Sequence, residues 1–92
     1  MNIYYIDQDV SGLLGEYLTE AMIVAESKVK AIAAALSLAS EEDGFGIIVE
    51  RRLLTVIDCG KASDDLLKAQ SRWTHENARI FVVGTGFDSD IT

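Results

Sequence analysis

The chain has 92 residues, of which 49% are hydrophobic, and its 15 acidic and 8 basic side chains give a formal net charge of −7. This length corresponds to one domain, and the apolar fraction is too high for a disordered acidic tail. One cysteine and one histidine exclude an internal disulfide and a zinc site built from soft ligands. We therefore expect a single domain over residues 1–92, with a loose tail at 87–92 and no bound cofactor or metal.

The negative charge is concentrated in the first half of the chain. Residues 1–46 carry eight acidic and two basic side chains, a net charge of −6, whereas residues 47–92 carry seven acidic and six basic side chains, a net charge of −1. Such a surface repels a phosphate backbone and attracts a basic protein. We expect a basic protein partner and no direct binding of nucleic acid, with solubility as the alternative reason for the acidic excess.

No segment predicts membrane insertion. The first seven residues have no basic region and only a short apolar run, which is not typical of a signal peptide. The longest uncharged stretch, residues 31–40, is about half as long as a membrane-spanning helix. We expect a cytoplasmic protein.

The first half of the chain predicts two strands and a helix. Residues 3–6 are β-branched or aromatic and predict a strand. Residues 10–25 combine helical spacing of apolar residues with two glycines and a β-branched pair, and we favour a loop followed by a strand over 17–25. Ser27 is a good N-cap for an amphipathic helix over 28–39. The spacing predicts that this helix buries one stripe, formed by Val29, Ile32, Ala33 and Leu36.

The second half predicts two further strands and a short helix. Residues 46–59 are strand-like but long for one strand, so a bulge or tight turn is expected near Arg51 and Arg52. Ser63 is expected to cap a short second helix with two aspartates in its first turn. Residues 80–83 predict the last strand, which the run Gly84-Thr85-Gly86 is expected to end.

This order of elements is typical of an α+β fold. We predict a small, mostly antiparallel sheet of about four strands, with one main amphipathic helix packed on one face and a short second helix. The other face of the sheet is then partly open and available to a partner. An exposed strand edge also makes a homodimer an option.

Two patterns suggest chemistry. Asp7 and Asp58 each end a strand-like run and Thr85 ends a third, which resembles the acidic residues and threonine of a phospho-acceptor receiver domain. The lysine that follows the threonine in receivers is missing, as are a fifth strand and its helix.

Cys59 and His75 form the other candidate, a nucleophile pair, although a lone cysteine ending an apolar strand is more typical of a small buried side chain. We predict that the protein is not an enzyme.

The candidate binding residues follow from charge and from one aromatic side chain. Metal binding needs a defined spacing of ligands, which the acidic clusters lack. Trp73 is either a core residue above the short helix or an interface anchor, since tryptophan and arginine are common in binding hot spots. The predicted partner-binding residues are Asp7, Asp9, Glu16, Glu20, Glu41, Glu42, Asp43 and Trp73.

The run from Met1 to Asp7, the strand over 17–25 and the alanine-rich helix over 27–39 resemble the layout of small acidic proteins encoded by phages and mobile elements, among them several anti-CRISPR inhibitors. The resemblance covers under half of the chain and assigns no functional residue. It implies a non-enzymatic inhibitor, acting in the host cytoplasm, that binds a CRISPR effector complex, often at its nucleic-acid-binding surface.

The leading hypothesis is a non-catalytic protein-binding module whose acidic surface mimics nucleic acid. The alternatives are a receiver-like signalling domain with Asp58 as phospho-acceptor and a generic structural or interaction protein.

Overall fold

The structure, a computed structural model, describes residues 1–42 and 44–88. Five strands form one antiparallel sheet in the order β3-β1-β2-β5-β4, and two helices accompany it, so the fold is α+β as predicted. The strand that the sequence did not predict is β4. The elements are β1 (Asn2–Gln8), β2 (Gly15–Ala25), α1 (Lys28–Ser37), a 3₁₀ turn (Arg51–Leu53), β3 (Leu54–Lys61), α2 (Asp64–Lys68), β4 (Trp73–His75) and β5 (Ala78–Asp88).

Strands β1 and β2 occupy the middle of the sheet and confirm the two predicted N-terminal strands. Their register places Ile3 opposite Val24 and Asp7 opposite Glu20. The uncertainty over residues 10–25 is settled as a loop followed by a strand, because β2 pairs on both sides, with β1 and with β5. Pairing on both sides suits the β-branched residues that weaken helix formation in this segment.

Helix α1 begins where its N-cap predicts. The Ser27 hydroxyl accepts a hydrogen bond from the Lys30 backbone N–H at 3.2 Å, which satisfies one of the donors left free in the first turn. Glu26 and Lys30 form a salt bridge of 2.7 Å across this turn. The hydrogen bond from Lys30 lowers the pKa of the Glu26 carboxyl.

The predicted buried stripe of α1 is wrong. Val29 is 68% exposed and Ala33 is also exposed, while Ile32 and Leu36 are only half-buried. The face that packs on the sheet is made of small side chains, because these allow the helix axis to approach the strands closely. Its buried residues are Ala31, Ala34, Ala35 and, just after the helix, Leu38.

The strand-like run over 46–59 forms a strand only in its second part. The turn expected near Arg51 and Arg52 is present as a 3₁₀ turn, and β3 begins only at Leu54. The residues before the turn form a single bridge from Ile48 to β2. Buried Gln8 holds them in place, since its side-chain amide donates to the Ile48 carbonyl at 3.1 Å and its side-chain oxygen accepts from the Glu50 N–H at 2.7 Å.

Strand β5 is longer than predicted, because Gly84 and Gly86 continue it instead of ending it. A Cβ atom at Gly86 would lie 3.1 Å from the ring of Tyr17, so the missing side chain makes room for an aromatic ring on β2. Of the tail predicted at 87–92, Phe87 and Asp88 belong to β5 and pair with β2. Residues 89–92 lie outside the described part of the chain.

The hydrophobic core lies between α1 and one face of the sheet. Its largest fully buried side chains come from β1, β2, β5 and the segments that follow α1. Trp73 of β4 and Leu54 and Val56 of β3 pack against its margins. The buried side-chain polar atoms of the described residues all have hydrogen-bond partners. The core is built around Ile6, Leu18, Ile23, Leu38, Ile47 and Ile80.

Candidate partner-binding surface

The face of the sheet opposite α1 carries a line of apolar side chains, which we call the apolar row: Ile57 of β3, Tyr5 of β1, Met22 of β2 and Val82 of β5. Successive members are direct register partners. Successive residues of a strand point to opposite faces, so these side chains point away from core neighbours such as Ile6 and Ile23. Ile57 is 52% exposed and Val82 is 47% exposed, while Tyr5 and Met22 are half-buried. Three inter-strand spacings give the row a length of about 14 Å.

A second line lies two residues further along each strand. Asp7 faces Glu20 across β1 and β2, and both carboxylates are exposed. We call these two residues the acidic pair. Like charges directly opposite each other on neighbouring strands destabilise a sheet. The salt bridges among the described residues join Lys30 to Glu26 and Arg52 to Glu50, so neither member of the acidic pair has a cationic partner within that part of the chain.

Tyr5 connects the apolar row to the acidic pair. Its hydroxyl donates a hydrogen bond of 2.7 Å to a Glu20 carboxylate oxygen. This hydrogen bond, reinforced by the negative charges of Glu20 and Asp7, raises the pKa of Tyr5 above its ordinary value of 10.0. The Glu20 side chain reaches across β5 because its partner there is Gly84, where a Cβ atom would lie 2.9 Å from Glu20 Cγ.

Helix α2 covers one end of this face. Val24 and Arg79 are register partners on the same face, one step beyond Met22 and Val82. The Arg79 guanidinium donates a hydrogen bond to the Leu67 carbonyl, which ties α2 to β5 on the side opposite α1. Val24 is fully buried there.

Tyr17 lies at the other end of the same face. Its ring lies against Gly86, and its hydroxyl donates to an Asp88 carboxylate oxygen at 3.1 Å. Burial is the main reason that the pKa of Tyr17 is raised above 10.0, and the hydrogen bond to Asp88 adds to it. The open part of the face, between α2 and Tyr17, therefore carries the apolar row and, in the next line, Thr55, the acidic pair and Gly84.

The acidic residues predicted to bind a partner are spread over the molecule. Of those that the structure describes, Asp7 and Glu20 are brought together by the pairing of β1 with β2. Asp9 lies in the turn after β1, where its carboxylate accepts from the Ser11 N–H at 3.0 Å, which lowers the pKa of Asp9. Glu41 and Glu42 are exposed in the loop after α1, and Asp43 lies outside the described residues.

Glu16 and Trp73 lie on the α1 side of the sheet. Glu16 lines a shallow cleft of about 240 Å³ together with Phe45 and Arg72. The ring of Trp73 is tilted against that of Phe45, with centroids 4.7 Å apart, and it packs on the core. This placement agrees with a core role for Trp73, although it lies on the α1 side of the sheet and not above the short helix.

The residues of the two chemical patterns do not meet. Asp58 lies opposite Tyr4, away from Asp7, and its carboxylate accepts hydrogen bonds from the Asn2 amide at 3.0 and 3.1 Å and from the Gly60 N–H at 2.9 Å. Cys59 is on β3 and His75 on β4, at the two opposite edges of the sheet. Cys59 is exposed and not buried as expected, because β3 is an edge strand.

Other kinds of site find no support in the geometry of the described residues. In residues 1–42 and 44–88, no three histidine, cysteine or carboxylate side chains are close enough to hold a metal ion. None of the helices in the same part of the chain has the length and apolar character needed to cross a membrane. Comparison with protein-family models, with curated proteins and with solved structures finds no significant match.

Sequence reasoning missed the apolar row entirely. Its members come from four strands and are separated by up to 77 positions, from Tyr5 to Val82. The signal that was available is alternation within one strand: in β1, Ile3 and Tyr5 alternate with the core residues Tyr4 and Ile6. Alternation shows that both faces of β1 are apolar, but it does not show which residues of other strands lie beside them.

Proposed function

We propose that the protein is a non-catalytic binding module that uses the open face of its sheet to bind a basic, partly apolar segment of a partner protein. The observation that supports this proposal is the position of the apolar row beside an acidic pair that has no cationic partner among residues 1–42 and 44–88. Covering the exposed parts of Ile57 and Val82 contributes about 25 cal/mol for each Å² removed from water. A lysine or arginine placed between Asp7 and Glu20 relieves their mutual repulsion.

The two parts of this surface have different roles in the proposal. Apolar contacts supply affinity, whereas charge complementarity mainly sets specificity and the rate of association. A row of about 14 Å matches roughly nine residues of an α-helix, given a rise of about 1.5 Å per residue. The proposed ligand is therefore an amphipathic basic segment about two to three helical turns long.

The proposed partner class is a nucleic-acid-binding protein. Surfaces that bind phosphate backbones are rich in lysine and arginine, and carboxylates can replace phosphates as their counter-charges. The net charge of −7 and the resemblance to anti-CRISPR inhibitors support this choice. In this role the protein is an inhibitor that blocks a nucleic-acid-binding groove of a CRISPR effector complex, and the apolar row distinguishes that groove from other basic surfaces.

The binding mode can be tested with a synthetic helical peptide that carries leucine on one face and lysine on the other. We expect the double variant Asp7→Asn/Glu20→Gln to bind this peptide about tenfold or more weakly than the wild type. The matched control is Glu41→Gln/Glu42→Gln, which removes the same charge from the loop after α1. We expect the control to lose less than about threefold. An equal loss of affinity in both variants would show that peptide binding depends only on the net charge of the protein.

The partner class can be tested with purified CRISPR effector complexes. The wild-type protein is expected to inhibit binding of target DNA by at least one of them, with Asp7→Asn/Glu20→Gln and Val82→Asp each weakening the inhibition. Val82→Asp adds negative charge, so purely electrostatic mimicry would be strengthened by it. Stronger inhibition by Val82→Asp would therefore contradict a contribution of the apolar row, and no inhibition of any complex would contradict the proposed partner class.

A further inference from the structure

The outer side of β3 is an unused strand edge. Strand β3 has eight residues and lies at one end of the sheet, and no other strand formed by the described residues pairs with its outer side. The opposite edge, β4, has only three residues. Long edge strands without proline provide a template for pairing with another chain. Of the two edges, only β3 is long enough to bind a second strand over several residues.

The hydrogen bonds around β3 show which of its backbone groups point outward. The Asp9 N–H donates to the Leu53 carbonyl at 2.9 Å, just before the pair of Leu54 with Gln8. Hydrogen-bonded and non-hydrogen-bonded pairs alternate along an antiparallel ladder. Thr55 and Ile57 therefore use their backbone groups to bind the β1 side, as the Leu53 carbonyl does. Val56 and Asp58 direct theirs to the outer side, whereas the Leu54 N–H donates to the Arg51 carbonyl within the 3₁₀ turn.

We propose that two copies of this chain pair antiparallel along β3, about a two-fold axis at Ile57. In this register, Val56 of each copy lies opposite Asp58 of the other, and each such pair exchanges two backbone hydrogen bonds. Thr55 lies opposite Cys59 of the second copy in a non-hydrogen-bonded pair. Contact between a surface and its own copy is the usual geometry of a two-fold dimer.

Charge at the two ends of β3 favours this self-pairing. Arg51 and Arg52 are exposed in the 3₁₀ turn before the strand, where Arg52 forms a salt bridge with Glu50, and Asp64 and Asp65 are exposed shortly after the strand. Antiparallel pairing brings the arginines of one copy close to the aspartates of the other. Lys61 lies at the same end of β3 as the aspartates and has the same charge as the approaching arginines.

The position of the axis follows from the charges inside the strand. An axis at Asp58 would set two identical carboxylates opposite each other, and an axis at Val56 would set Lys61 opposite Arg51. With the axis at Ile57, Asp58 meets an apolar residue. Its own carboxylate is occupied within the chain by the Asn2 amide and the Gly60 N–H.

The pairing would also join the two open faces. Ile57 is the outermost member of the apolar row, so the two Ile57 side chains become neighbours across the axis and the two rows form one line. This dimer does not depend on the proposed function, because its contacts are made by backbone groups of β3 and by residues outside the acidic pair.

The first test is the molar mass in solution, measured by light scattering from micromolar to millimolar concentration. We expect a dimer whose dissociation constant rises about tenfold or more in Val56→Pro, because proline removes an outward N–H while leaving the bonds to β1 intact. The control is Thr74→Pro, which places a proline on the opposite edge and is expected to leave the dimer unchanged. A monomer at every concentration, or equal effects of both prolines, overturns the proposal.

The second test keeps the proposal falsifiable if Val56→Pro does not fold. In Thr55→Cys, the new thiol would face Cys59 of the second copy, and mild oxidation with copper phenanthroline is expected to link the copies covalently. The two positions are about 13 Å apart within one strand, too far for an internal disulfide. Thr74→Cys is the matched control and is expected to link much more slowly. If the wild type links through Cys59 as readily as Thr55→Cys does, the axis at Ile57 is wrong.

Discussion

The two faces of the sheet use the same strands for opposite purposes. On the α1 side, Ile6 and Ile23 are fully buried against small helical side chains. On the other side, their chain neighbours Tyr5 and Met22 belong to a row whose ends are about half exposed, with a repelling pair of carboxylates beside it. The first face is arranged to stabilise the fold. The second face exposes apolar side chains to water and sets two negative charges opposite each other. Neither arrangement stabilises the fold.

Because side chains alternate along a strand, neighbouring residues can serve stability and binding separately. Residues one position apart in β1 or β2 lie on different faces and are in contact with different surroundings. Substitutions on the α1 side should therefore change the free energy of unfolding, and those on the open side should mainly change binding. The following three predictions test this separation, beginning with the largest effect.

The largest effect is expected from a matched pair of isoleucines. Ile23→Ala should lower the free energy of unfolding by about 2–5 kcal/mol, because it leaves a cavity in a closed core. Ile57→Ala should lower it by no more than about 1 kcal/mol, because its side chain is already 52% exposed. Urea unfolding followed by circular dichroism measures both. Similar losses in the two variants would mean that Ile57 is packed as closely as Ile23 and that the face opposite α1 is covered.

A smaller effect of opposite sign is expected at the acidic pair. Asp7→Asn should raise the free energy of unfolding by about 0.2–1 kcal/mol at neutral pH, since it removes a like charge opposite Glu20. Added salt should reduce the gain by screening the repulsion in the wild type. Asp9→Asn is the matched control, and it should bring no gain because it weakens the hydrogen bond from the Ser11 N–H. A loss of stability in Asp7→Asn would show that Asp7 has a stabilising partner.

The smallest effect concerns the ionisation of Tyr5. Its raised pKa means that the folded state holds the phenolic proton more tightly than the unfolded chain does. This contribution to stability is complete below the unfolded pKa near 10.0 and is lost as the pH rises through the folded pKa. Glu20→Gln removes the charged acceptor and should move the pKa of Tyr5 back towards 10.0.

Absorbance titration of tyrosine measures this change, with Tyr5→Phe identifying the signal that belongs to Tyr5. Tyr17 is the internal reference, because its pKa is raised mainly by burial and not by Glu20. A shift of Tyr17 as large as that of Tyr5 would indicate a general rearrangement of the sheet instead of the loss of one hydrogen bond.

Local signals in the sequence were sufficient for several elements. The β-branched and aromatic residues at 3–6 and 17–25 form β1 and β2, and the serines at 27 and 63 cap the helices that follow them. Each of these features depends on residues within a few positions of one another. The α+β class followed from their order.

Strand β4 was missed because its turn has no usual sequence signal. The hairpin between β4 and β5 turns at Glu76 and Asn77, and Glu76 has φ of 53°, a conformation that ordinarily favours glycine or asparagine. The prediction from Gly84 and Gly86 was also wrong. They were expected to end β5, but they continue it because side chains of β2 occupy the space beside them.

Local patterns in the sequence are enough to place the N-terminal strands, the capped helices and the acidic character of the first half, because each is a property of neighbouring residues. The assembled fold adds that alanines and not Val29 face the sheet, and that two of the predicted acidic residues lie beside an exposed apolar row. Alternation assigns residues of one strand to two faces, but the register between strands is set by contacts distant in the chain. The candidate site consists of such contacts, which is why it became visible only with the sheet assembled.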